Sequence, residues 1–152
     1  MISPPQETID RIKDIFKTQK FAALATQEQT HPYLSLMAYA FSDDLRYLLV
    51  ATSRGTRKYS NMIKTPGVSF LIDNRTTREN DLIKISAVTG IGMAEEIEGA
   101  ERGNSIKKLL EVHPDLVDFA ALSSTALIKI KVIRYIIISR FEKAEELKMM
   151  DL

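Results

Sequence analysis

The chain has 152 residues, a net charge of +1, no cysteine and a hydrophobic share of 45%. That length and apolar content suit one folded domain, residues 1–152, with a core of its own. The absence of cysteine excludes a disulfide scaffold, a thiolate metal site and a cysteine nucleophile, and the near-neutral charge excludes a general pull toward nucleic acid or anionic membrane.

Residues 8–17 read as an amphipathic helix, because Ile9, Ile12, Ile15 and Phe16 recur at helical spacing with charges between them. Thr8 is a candidate cap. Strand character follows in FAALAT (21–26), PYLSLMAYAF (32–41) and RYLLVAT (46–52). Short polar turns join these runs, which predicts a meander of antiparallel strands. A loop, Ser53-Arg54-Gly55, leads to a helix over residues 56–64, stopped by Pro66 and Gly67. VSFLID (68–73) is another strand, and NRTTREND (74–81) is a polar loop. Residues 82–97 alternate like a strand but carry Gly90 and Gly92, which predicts a bulge or a close approach by another group. A second amphipathic helix spans 98–112, with Ile106, Leu109 and Leu110 inward. A short helix capped by Asp115 follows over 115–122. Residues 125–141 are the longest strand signal, rich in β-branched side chains, and the end, EKAEELKMMDL, has helical propensity. Six strand runs with helices in the connections predict an α+β, mainly β fold: a six-stranded, mostly antiparallel split β-barrel with connecting helices.

The stretch around residues 51–66 carries the chemistry. A strand ends at Thr52, a glycine turn follows, and Arg57 and Lys58 fall in the first turn of the helix. A cluster such as Arg54, Arg57, Lys58 and Lys64 is commonly a solvated face. Here the cations bunch where the helix dipole disfavours them, and unpartnered backbone N–H groups and hydroxyls lie beside them. That set of donors suits a phosphate monoester. Other chemistries lack their residues. His31 and His113 are not at metal-ligand spacing and read as surface histidines, so no metal is expected. GxSxG, GxGxxG and GxxxxGK[ST] are absent, and no catalytic acid or base is spaced convincingly. The first residues lack the apolar core of a signal peptide and no apolar run is long enough to span a bilayer, so a cytoplasmic protein without a membrane partner is expected.

GTRKYSNMIKTPGVSFLID (55–73) resembles the signature of the pyridoxamine 5'-phosphate oxidase-like FMN-binding split barrels, and PYLSLMAYAF, TGIGMAEEI and YIIISRFEKAEEL are similar to other strands of that family in the same order. The resemblance implies FMN as cofactor, with Arg57 and Lys58 on its phosphate and Ala51 and Thr52 along the ribityl and phosphate path. It places Ser35, Leu36, Met37, Ala38, Tyr39 and Ala40 beside the isoalloxazine. It implies a homodimer with FMN at the interface, and an oxidoreductase of unknown small-molecule substrate. Tyr39 and Tyr47 could line the substrate side. The Arg-x-His substrate motif of pyridoxamine phosphate oxidases has no counterpart, and Ala87 and Ala40 stand where the family has a glutamine and a basic residue. The alternative is a non-catalytic flavin or haem carrier on the same fold. A nucleic-acid patch is disfavoured by the neutral charge and by the lack of interleaved aromatics.

Overall fold

A computed structural model describes residues 5–75, 85–139 and 143–151. Helix α1 (Gln6–Thr18) precedes strands β1 (Phe21–Glu28), β2 (His31–Ala38), β3 (Ala40–Phe41) and β4 (Tyr47–Ser53). Helix α2 (Arg57–Lys64) leads to β5 (Gly67–Asp73) and β6 (Ser86–Glu96). Helix α3 (Gly99–Val112), a 3₁₀ turn (Pro114–Leu116) and helix α4 (Val117–Ala121) precede β7 (Thr125–Ser139) and β8 (Lys143–Lys148). The strands form one antiparallel sheet in the order β2-β1-β5-β6-β7-β4-β3, with β8 also on β7. The architecture is thus α+β, mainly β, and the sheet curls into a split half-barrel. Arg78 and residues 82–84 and 140–142 of the expected loop and strands lie outside the described residues.

The count of six strands is corrected to eight among the described residues, for two physical reasons. PYLSLMAYAF is not one strand. It breaks at Tyr39 and changes partner: Ala38 pairs with Phe21 of β1, whereas Ala40 pairs with Leu49 of β4. The Tyr39 ring is buried, and its hydroxyl donates to the carbonyls of Phe16 and Gln19 at 2.8 and 3.0 Å. The Tyr39 carbonyl, lost to the ladder, accepts from His113 Nε2 at 2.6 Å. A carbonyl can only accept, so Nε2 carries the proton. His113 is therefore a structural group, not the surface histidine that the sequence suggests.

The second correction is at the end of the chain. Residues 143–148 pair as a strand with residues 134–139 of β7. Their helical propensity is overridden because pairing buries Leu147 and covers a free strand edge. Glu145 is held from α1 by Thr8 Oγ1 at 2.7 Å and by Arg11 at 3.2 Å. Thr8 is thus a tertiary contact, and the N-cap of α1 is Pro5. Asp115 likewise lies in the 3₁₀ turn, and Leu116 stands at the N-cap of α4.

The core is the concave face of the sheet closed by α1. The Phe16 ring sits among Tyr39, Phe41, Phe70 and Tyr135, with centroids 5.5 to 6.4 Å away, mostly edge to face. Burying such aromatics contributes roughly 1.5–3 kcal/mol each. Both strand glycines have a steric cause. A Cβ on Gly90 would fall within the Phe70 ring, and one on Gly92 would strike the carbonyl oxygen of Lys131. The β6–β7 register shifts between Ile91 and Gly92, so the expected bulge is present. Gly90→Ala is expected to destabilise the protein by ~1–3 kcal/mol through overpacking against Phe70. A denaturant midpoint unchanged from wild type would contradict that packing.

Candidate functional site

Helix α2 starts where the sequence places it. Thr56 is the N-cap: its Oγ1 accepts from the Tyr59 N–H at 3.3 Å and donates to the Ser53 carbonyl at 2.8 Å. The Thr52 hydroxyl, buried at the end of β4, lies 2.9 Å from that of Thr56. Asn61, also buried, donates to Thr26 Oγ1 at 3.0 Å and docks the helix on β1. Two hydroxyls therefore meet beside the first turn of α2, whose leading N–H groups have no intrahelical partner.

The four cations of this region have different fates. Arg54 turns away from the helix start and donates to Glu96 and to the Ser123 carbonyl, both at 2.7 Å. Glu96 also accepts from the Tyr59 hydroxyl at 2.6 Å. The hydrogen bond from Arg54, joined by that from Tyr59, holds the Glu96 carboxyl below the usual range despite partial burial. The same Glu96 contact raises Tyr59 and Arg54. Arg57 pairs with Glu28 of the β1–β2 hairpin at 2.7 Å. Among the described residues, Lys58 and Lys64 have no carboxylate partner.

Lys58 stands at a groove of about 270 Å³ between β2 and β4, two strands that face each other without pairing. Leu36, Met37 and Ala38 form one wall. Ala51, Thr52 and Ser53 form the other, and Thr56 and Lys58 stand with them. Leu116 and Phe119 complete the lining. Six sequence-predicted residues thus meet here: Leu36, Met37, Ala38, Ala51, Thr52 and Lys58.

The other four lie elsewhere. The Tyr39 side chain turns into the core, and Ala40 packs in a second apolar cluster with Leu49 and Leu127. Ser35 faces inward opposite Leu24, and its buried hydroxyl has no hydrogen-bond partner. Arg57 lines a separate polar cleft on the other side of Thr56. Tyr47 packs against the second cluster with Lys108 and Lys129 each 5.7 Å from its ring centre. Sequence reading missed Leu116 and Phe119, which come from a helix it recognised but had no reason to bring to the groove. It also missed Glu96 and Glu28, whose partners are 42 and 29 residues away.

A cation-bearing helix start beside a mainly apolar groove in a split antiparallel barrel narrows the family. Residues 8–138 match the profile of pyridoxamine 5'-phosphate oxidase. The chain belongs to that family. No curated protein matches it. Among solved structures, a haem-binding protein from Mycobacterium smegmatis superposes with a TM-score of 0.85 at 17% identity, over 99% of this chain and 61% of that one. HutZ, a haem storage protein from Vibrio cholerae, gives 0.71 at 20% identity over 81% and 88%. An FAD-binding protein from Mesorhizobium loti gives 0.67 at 17% identity over 82% and 89%. At these identities the likeness is one of fold, and the chain spans about three fifths of the M. smegmatis protein. Among the described residues no helix is long and apolar enough to cross a membrane.

Within this family member, Glu96 links β6 to the loop before α2, which gives a pH test. A carboxyl depressed in the folded state contributes stability above its unfolded pKa and loses it as pH falls through the folded value. Between about pH 7 and pH 3, wild type should therefore lose more stability than Glu96→Gln, and the two denaturation midpoints should converge at the acid end. Parallel pH profiles would show that the Arg54–Glu96–Tyr59 cluster contributes nothing.

Proposed function

We propose that this chain is a homodimeric FMN-binding flavoprotein, an oxidoreductase of a small molecule. The observation that carries the reading is Lys58: an ammonium without a carboxylate partner among the described residues, at a groove that is otherwise mainly apolar. A phosphate dianion requires such a cation together with hydroxyl and N–H donors. The first turn of α2 supplies the N–H donors, the Thr52 and Thr56 hydroxyls lie beside it, and Arg57 is one residue away. A flat aromatic ring system requires apolar walls, which Leu36, Met37, Ala38 and Phe119 offer. The residues present therefore fit FMN.

The flavin, when bound, supplies the electron and hydride chemistry. The chain's own residues bind the phosphate, orient the ring and keep water from its apolar side. Among the residues lining the groove Lys58 alone carries a charged side chain, and none is a histidine or a carboxylate. The substrate's own groups, or a second copy of the chain, would then handle protons.

The homodimer rests on a second feature. Leu34 and Leu36 are each 70% exposed and Phe21 56%, on the outward face of β1 and β2. Leu36 lies in register with Ala23, which pairs in turn with Leu71, also exposed. This apolar strip continues from the groove wall. A second copy laid over it would bury the strip and roof the open groove at once. A cytoplasmic location accords with the absence of cysteine.

A carrier without turnover is the second reading, favoured by the groove's lack of a histidine or carboxylate. Flavin is the better cargo on this chain. His31 is exposed beside Thr30 and His113 is bonded to Tyr39, so neither lines the groove as a haem ligand. Reduction of bound flavin by a nicotinamide nucleotide, followed by reoxidation with a substrate, separates enzyme from carrier.

Two outcomes are expected. Arg57→Glu with Lys58→Glu should weaken FMN binding at least ~100-fold in a titration while leaving the circular dichroism spectrum unchanged. Retained affinity would place the anion elsewhere. Leu36→Asp should convert the dimer to a monomer in sedimentation, with loss of flavin in the same sample; a flavin-loaded monomer would refute an interface site.

A further inference from the structure

A second cavity lies behind α4, away from the groove. It has a volume of about 520 Å³ and sits between α3 and α4. Leu116 and Phe119 line the groove, whereas Val117, Ala120 and Ala121 line this pocket, so the short α4 segment is a wall of both. On α3 the lining residues are Arg102, Ile106 and Leu110, each four positions from the next and therefore on one stripe of the helix. Arg102 and Leu110 are about 12 Å apart along the axis. Val117 and Leu122 are each 53% exposed although both line a concavity, which leaves apolar surface for a ligand to cover.

Charge sits at one end only. Arg102 donates to the Thr125 carbonyl at 3.0 Å and Arg54 to the Ser123 carbonyl at 2.7 Å, so both guanidiniums stand at the start of β7. Arg54 is committed, because it also holds Glu96 at 2.7 Å, and Glu96 is shared with Tyr59. Arg102 is half-buried and has no carboxylate partner among the described residues. A guanidinium carries several N–H donors, and the Thr125 carbonyl engages only one nitrogen of this one. The lining contains no acidic side chain, and away from the arginines it is apolar except for Ser123.

We propose that this pocket binds a medium-chain carboxylic acid, with the carboxylate on Arg102 and the hydrocarbon chain along Ile106 and Leu110 between the two helices. One uncommitted guanidinium matches the single charge and planar fork of a carboxylate. A phosphate dianion would need further donors, and a hydrophilic acid would leave the apolar walls uncovered. The pocket and the groove lie on opposite sides of α4, so both can be filled at once. The proposal does not depend on the flavin reading of the groove.

Calorimetric titration of the purified chain with octanoate, octanol and acetate at neutral pH tests it. Wild type is expected to bind octanoate ~10-fold or more tighter than octanol and to give no heat with acetate. Arg102→Gln keeps a donor for the Thr125 carbonyl and removes the charge. It should bring octanoate down to the octanol value and leave octanol unchanged, which also shows that the variant folds. Ala121→Phe, which fills the pocket from α4, should abolish binding of both. Saturating FMN should leave the octanoate affinity as it was. Octanoate bound no tighter than octanol, not bound at all, or bound undiminished by either variant overturns the proposal. So does loss of both ligands together in Arg102→Gln, or displacement of octanoate by FMN, which would put the acid in the groove.

Discussion

The Tyr39 side chain anchors the bend on which the split of the barrel depends. Its hydroxyl satisfies two carbonyls at the end of α1 and its carbonyl is satisfied by His113 at the end of α3. A strand that leaves one neighbour for another must find partners for the backbone groups it takes out of the ladder. Tyr39 does so by tying three elements together at one residue. Because β2 ends on β1 and β3 begins on β4, the chain turns a corner and leaves β2 facing β4 without pairing. That gap is the groove. The same buried ring packs on Phe16, so the helix that closes the core also holds the bend.

Charge is partitioned around the start of α2 by two carboxylates that come from elsewhere. Glu96 on β6 removes Arg54 from the groove and joins it to Tyr59, which fixes the loop against the helix. Glu28 on the hairpin draws Arg57 into the polar cleft. Lys58 is left facing the groove. Adjacent residues on a helix point about 100° apart, so Arg57 and Lys58 serve two cavities with Thr56 between them. An exposed ion pair such as Arg57–Glu28 is worth at most about 1 kcal/mol. A phosphate could therefore recruit Arg57 at little cost.

Much of this was legible in the sequence because it is local. The helix start at Thr56, the strand before it and the strand character of β1, β5 and β7 depend on residues within a few positions of one another. Gly90 and Gly92 signalled a bulge or close approach correctly, although Phe70 and Lys131, the groups that need the space, could not be named. Where local propensity met a tertiary demand, the demand prevailed. KAEELK favours helix, yet it pairs with β7 to bury Leu147 and cover an edge. Tyr39 read as one more strand aromatic beside a ligand, and it is a core residue because its hydroxyl is needed at the end of α1.

The sequence by itself determined the class of fold, the order of most of its elements and the cation-bearing helix start, since each is written in periodicity, turn residues and short-range spacing. Only the tertiary structure decided which cations remain available and what surrounds them. Glu28, Glu96, Leu116 and Phe119 reach the region from distant parts of the chain. Their effect depends on distances that no linear spacing encodes, and so the division of one basic cluster between an apolar groove and a polar cleft became visible only once the sheet had closed around it.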